Sequence, residues 1–144
     1  MAGVTSLVGL ALMVAGLVAL LLGHQALSAS PLAIALQVSA IALMLWARLA
    51  FGLRSFHATA SPTAGGLVTT GPYRWIRHPI YTAICLFGWA CCVGHPSWFS
   101  VEMAGLISVG GFLRMRMEES LLIVRYPEYA EYARRTSRMI PFVF

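Results

Sequence analysis

The chain has 144 residues, 59% of them apolar and only 10% charged, with a mean hydropathy of +0.78. Soluble domains carry roughly 25% charged residues, so a water-soluble fold is excluded and an integral membrane protein is expected. All ten positive charges are Arg and all five negative ones Glu; guanidinium groups stay charged, and their position beside apolar runs suits an anionic lipid leaflet and argues against nucleic acid as a partner.

Residues 3–22 carry no charge and, at about 1.5 Å per residue, can cross a hydrocarbon core of about 30 Å. Ala26-Leu27-Ser28-Ala29-Ser30 downstream imitates a signal cleavage site. The run lacks a basic leading region and is long, so a retained first span is expected. Pro31 suits the first turn of a helix, and a second span is expected from residue 31 to about Leu53. Arg48, near its far end, is placed either to snorkel to the interface or to serve a site. Residues 54–70 turn to Ser, Thr, Ala, Gly and His, with Pro62 and the pair Gly65-Gly66, and read as a loop.

Residues 71–81, Gly-Pro-Tyr-Arg-Trp-Ile-Arg-His-Pro-Ile-Tyr, form the chemically densest stretch. Pro72 and Pro79 fix φ and deny one continuous helix, so an ordered bend leading into the next span is expected. An interfacial anchor also contains Arg, Trp and Tyr, but it has no need of two placed prolines and a histidine.

Residues 80–93, a tight turn at 94–97 and residues 98–113 read as a helical hairpin with arms short for a full crossing, and Glu102 is expected at the far interface. The second arm continues without Gly or Pro through residues 114–122, so this helix should leave the bilayer carrying charge. Tyr126-Pro127 interrupts it. Residues 128–135 read as a second, amphipathic helical piece, and the apolar residues 139–144 are expected to fold back onto the interface. Cys85, Cys91 and Cys92 lie within one apolar run without ligand spacing and read as packing residues.

The connections at 23–30 and 94–97 hold no arginine, whereas residues 48–77 hold four and the chain from 114 onward six. The positive-inside rule then puts both termini in the cytoplasm. The expected fold is all-α: four transmembrane helices, a cytoplasmic loop and a C-terminal cytoplasmic helical segment, forming one domain over residues 1–144. On this topology Arg114 and Glu118, spaced i and i+4 on one helix face, lie on the same side as residues 71–81. Their spacing also fits an ordinary helix ion pair worth about 0.3–0.5 kcal/mol. His24 and His95 lie on the side opposite His57 and His78, so no metal or haem site is expected.

Three motifs give the chain a resemblance to the isoprenylcysteine carboxyl methyltransferase family, within a wider group that includes phospholipid methyltransferases. They are G-P-Y-x-x-x-R-H-P-x-Y at residues 71–81, Glu118-Glu119 after a short hairpin, and Glu128-Tyr129-x-x-Tyr132 with Ile140-Pro141. The resemblance covers about residues 64–144. It implies an S-adenosylmethionine site formed by His78, Pro79, Ile80 and Tyr81, with Tyr73, the Leu67 and Val68 backbone, Glu118 and Glu119 at the same pocket. It also implies a substrate-facing role for Arg114, and Arg48 occupies the span where family members carry a further substrate-side arginine. The implied reaction is methyl transfer to a lipophilic or lipidated acceptor among membrane lipids, with a carboxylate as acceptor group. A phospholipid amine, with Glu118 or Glu119 as base, and a lipophilic thiol are the alternatives. Further rivals are an NADPH-dependent membrane reductase and a non-enzymatic scaffold.

Overall fold

The computed structural model describes residues 2–52 and 66–143. Among them the chain forms five α-helices, α1 (Ala2–Leu22), α2 (Pro31–Phe51), α3 (Pro79–Gly94), α4 (Trp98–Arg125) and α5 (Tyr129–Arg135), with a 3₁₀ turn at Gly71–Arg74. The described residues form helices and turns with no named strand, as expected from the long apolar runs. Two helices, α1 and α2, are long and apolar enough to cross a membrane, and α3 is a shorter apolar helix. Leu53 and the expected loop residues at 54–65, including His57, Pro62 and Gly65, lie outside the described residues.

Local chemistry sets the helix boundaries. Pro31 and Pro79 occupy the first turns of α2 and α3, where a missing N–H costs nothing. Helix α2 stops at Gly52, whose φ of 67° is a left-handed value that glycine adopts without a Cβ penalty. A capping box opens α4: Ser97 Oγ accepts from the Ser100 amide at 3.1 Å, and Ser100 Oγ accepts from the Ser97 amide at 3.2 Å. The 28 residues of α4 span about 42 Å at 1.5 Å each, more than a hydrocarbon core requires, so its C-terminal half is free to leave the apolar layer.

The helices pack in the order α1, α4, α3, α2. At one end the two turns interlock: Ser28 Oγ donates to the Gly94 carbonyl at 3.3 Å, His95 Nε2 to the Leu27 carbonyl at 2.5 Å and Ser97 Oγ to Gln25 Oε1 at 3.1 Å. Gln37, buried inside α2, donates to the Ala26 carbonyl at 2.7 Å, which satisfies a polar group that would be costly to bury alone. Every described arginine belongs to segments that meet at the opposite end.

The α1–α4 contact is set by absent side chains. Gly9 and Gly16 in α1 and Gly23 just past its end recur every seven residues, a spacing that keeps them near one helix face. A Cβ on Gly9 would lie 2.7 Å from the Gly110 carbonyl oxygen and 2.9 Å from Arg114 Cγ; one on Gly16 would meet Ile107, and one on Gly23 would meet Phe99. Small residues let helix backbones approach closely where lipid offers no hydrophobic drive to associate. Gly9→Leu is therefore expected to lower the stability of the detergent-solubilised protein by about 1–3 kcal/mol, the cost of overpacking. Gly3→Leu, which meets nothing within 4 Å, should leave the unfolding temperature unchanged in the same thermal-melt assay.

Candidate active site

The charged end is built by two segments far apart in sequence. Pro72 and Pro79 bracket a bent stretch whose 3₁₀ turn buries Pro72 and Tyr73. It pairs with the chain after α5 through a parallel bridge between Ile76 and Ser137. The Arg77 amide donates to the Ser137 carbonyl at 2.8 Å, the His78 amide to the Arg138 carbonyl at 3.0 Å, and the Ser137 amide to the Trp75 carbonyl at 3.0 Å. Thr82 Oγ1 adds a bond to the Met139 carbonyl at 2.9 Å. Residues 136–139 thus strap the bend onto the start of α3.

Glu119 is the centre of this arrangement. Its Oε1 meets Arg77 Nε at 3.0 Å and His78 Nε2 at 3.4 Å, and its Oε2 meets Arg138 Nε at 3.1 Å. The Tyr129 hydroxyl donates to Oε1 at 3.4 Å. Arg77 Nη1 reaches past the carboxylate to the Ala133 carbonyl at 2.8 Å and to the Thr136 carbonyl, holding the last turn of α5 by its unpaired oxygens. Burial pushes the Glu119 carboxyl up, but hydrogen bonding and charge from His78 and Arg77 outweigh it and bring the pKa down to about 2.

Glu118 takes the other side of the helix. Its Oε2 accepts from the Tyr81 hydroxyl at 3.0 Å and lies 3.8 Å from His78 Nδ1, so the imidazole of His78 bridges both carboxylates. The Tyr81 hydroxyl also accepts from Arg114 Nε at 3.3 Å. Arg114 and Glu118, four residues apart on α4, are joined through this phenol. Arg114 is buried; its Nη1 donates to the Ser6 carbonyl of α1 at 3.3 Å, in the space left by Gly9.

In front of Glu118 lies a narrow cleft walled by Leu67, Val68, Tyr73, Tyr126, Tyr129 and Tyr132. The Tyr132 hydroxyl donates to the Tyr73 carbonyl at 2.6 Å, which ties α5 to the opposite wall. Burial and the nearby Glu118 charge raise the Tyr73 hydroxyl above the usual phenol range, and burial does the same for Tyr132. Both remain neutral donors. An all-apolar groove lined by Leu17, Ile41, Met44, Ala83, Ile84 and Phe87 runs between α1, α2 and α3, and its Ile84 also packs on the cluster that contains Tyr81.

The sequence-predicted residues divide into groups. Leu67, Val68, Tyr73 and Glu118 share the cleft; His78 and Tyr81 contact Glu118 from behind it; Arg114 stands one hydroxyl further back. Glu119 faces inward as the hub of the ion pairs. Pro79 and Ile80 form the first turn of α3 and are not among the cleft walls. Arg48 lies in the last turn of α2, close enough for its charge to act on the Tyr73 hydroxyl. Sequence reasoning did not single out the roles of Arg77, Arg138 or Ser6. Arg77 carried a signal, its place in the dense stretch. Arg138 and Ser6 carried none, because the partners of each lie 19 and 108 positions away.

A model of the phospholipid methyltransferase family matches residues 28–129. Among curated proteins, the nickel-cobalt-cadmium resistance protein NccN of Alcaligenes xylosoxydans xylosoxydans is 37% identical over 79 residues, covering 52% of this chain and 36% of that protein. The cobalt-zinc-cadmium resistance protein CzcN of Cupriavidus metallidurans is 34% identical over 79 residues, covering 52% and 35%. The chain therefore spans about a third of the length of these relatives. No solved structure matches it. Among the described residues, no group of three or more His, Cys, Asp or Glu side chains is placed to hold a metal ion.

Removing one partner of a buried ion pair costs about 3–5 kcal/mol because the other charge is stranded, so Glu119→Gln is expected to lose that much stability at neutral pH. Because its folded pKa lies below the ordinary 4.5, Glu119 stabilises the fold above that value, and the contribution is lost as pH falls toward about 2. Thermal melts should show the gap between the wild-type protein and Glu119→Gln closing across that window; a gap independent of pH would contradict the assignment.

Proposed function

Because the chain belongs to the phospholipid methyltransferase family, we propose that it is a multi-pass membrane methyltransferase that uses S-adenosylmethionine and acts on a lipophilic acceptor, with a carboxylate as the acceptor group. The observation that carries this reading is the chain of contacts Arg114–Tyr81–Glu118–His78. It sets an anion-binding group and an anionic group on the same phenol hydroxyl, between an apolar groove and an aromatic cleft.

The residues of the cleft fit the cofactor. Tyrosine rings, Leu67 and Val68 offer flat, apolar surface for a base, and the Glu118 carboxylate, its side chain 29% exposed, supplies negative charge opposite the cofactor's ammonium group, which S-adenosylhomocysteine also carries. The cofactor, when bound, supplies a methyl group on a cationic sulfur. The protein's own part is to hold the acceptor and keep water out. Arg114, fixed by Ser6 and Tyr81, orients a carboxylate by charge-assisted hydrogen bonds. Its value lies in alignment more than in charge, since it binds the acceptor before the transition state as firmly as within it. Burial of Arg114 and Tyr81 excludes the solvent that would otherwise stabilise two unlike ions apart.

In this reading α3 and α4 complete four spans, with the site and both ends of the chain on the cytoplasmic side, as the distribution of arginine favours. An amine acceptor is the second reading. It is favoured by Glu118, which is partly open and backed by His78 and so positioned to take a proton.

Two measurements test this reading. Calorimetric titration with S-adenosylhomocysteine should show binding to the wild-type protein and at least a tenfold weaker affinity for Glu118→Gln; binding of NADPH in its place would overturn it. Incubation with labelled S-adenosylmethionine and a membrane lipid extract should yield a base-labile methyl ester, and base-stable label would select the amine acceptor. Arg114→Gln should lower ester formation at least tenfold while leaving the S-adenosylhomocysteine affinity within threefold.

A further inference from the structure

From the apolar segment that follows the strap, we infer that Ile140, Phe142 and Val143 are seated in the lipid leaflet beside the bundle and anchor the C-terminal strap to the bilayer. This rests on the membrane reading alone and is independent of the chemistry.

The argument is one of depth. The 21 residues of α1 extend about 31 Å, close to the thickness of a hydrocarbon core of about 30 Å, so essentially the whole helix is needed to cross. Met139 packs on the cluster of Met13, Tyr81 and Met115, and Arg114, beside Met115, donates to the Ser6 carbonyl of α1, so the cluster lies beside the N-terminal half of α1, between Ser6 and Met13. The segment after Met139 therefore leaves the bundle at a level flanked by the lipid-facing side chains of α1, such as Val4, Leu7 and Val8, all exposed on the protein surface.

At that level the chain turns its apolar groups outward. Phe142 is 94% exposed, Val143 79% and Ile140 53%. The turn is built rather than frayed: the Phe142 amide donates to Ser137 Oγ at 2.8 Å and the Val143 amide to the Ile140 carbonyl at 3.2 Å. Phe142 has a φ of 63°, a left-handed conformation uncommon for a bulky residue. No intramolecular burial of its ring offsets that cost, and insertion into lipid does. Arg138, one residue before Met139, stays with Glu119 at the polar boundary. An aromatic and two aliphatic groups just beyond an arginine form the composition of an interfacial anchor.

The test uses the full chain with Cys85, Cys91 and Cys92 replaced by Ala, a nitroxide on Phe142→Cys, and vesicles of mixed phosphatidylcholine and phosphatidylglycerol. Power saturation compares collisions with oxygen, which concentrates in lipid, and with a water-soluble nickel chelate. The label at 142 should favour oxygen several-fold, as should one on Val8→Cys at the lipid-facing side of α1. A label at 142 that favours nickel, as one on the exposed Arg135→Cys should, overturns the inference. So does a label shielded from both reagents, which would indicate packing against a second copy. If Phe142→Cys does not fold, Val143→Cys carries the same expectation.

Discussion

The structure depends on a carboxylate that never reaches the cleft. Glu119 binds Arg77 from the bend before α3, Arg138 from the strap after α5, and the His78 imidazole between them. Two guanidinium groups brought to the edge of a membrane would be costly to desolvate unpaired; the two oxygens of one buried carboxylate give each of them a partner. The ion pairs also fix geometry. With Arg77 held, its Nη1 caps α5, and α5 presents Tyr129 and Tyr132 to the cleft. The walls of the site are thus consequences of a charge balance struck behind them.

This gives the adjacent glutamates different work. Successive residues on a helix point about 100° apart, so a Glu-Glu pair sends one carboxylate into the ion-pair hub and the other toward solvent. His78, set at the end of the bend and immediately before α3, touches both. The strap is thereby joined through Arg138, Glu119 and His78 to Glu118 by a continuous set of contacts.

The bundle serves the site by leaving room. Helix α1 lies wholly before the segment matched by the family model, yet it supplies the carbonyl that holds Arg114 and the gap at Gly9 that lets the guanidinium in. A larger residue at Gly9 would meet both α4 and Arg114. Close packing of two helices and the placing of a buried cation are here the same event. At the other end the interlocked turns carry no arginine, so the molecule is polarised along its axis.

Composition and residue patterning determined that this chain is a helical membrane protein, where its apolar runs begin and end, and that its densest groups of polar and charged side chains include residues 71–81 and 114–119. These are local properties: hydropathy acts over one helix, proline over one turn, and i, i+4 spacing over one face. Which glutamate faces the cleft, that Tyr81 joins Arg114 to Glu118, and that Ser6 and Arg138 belong to the site were decided only by tertiary structure. A buried charge takes whichever partner the packing brings within about 3 Å, and no pattern along the sequence records a meeting of residues a hundred positions apart.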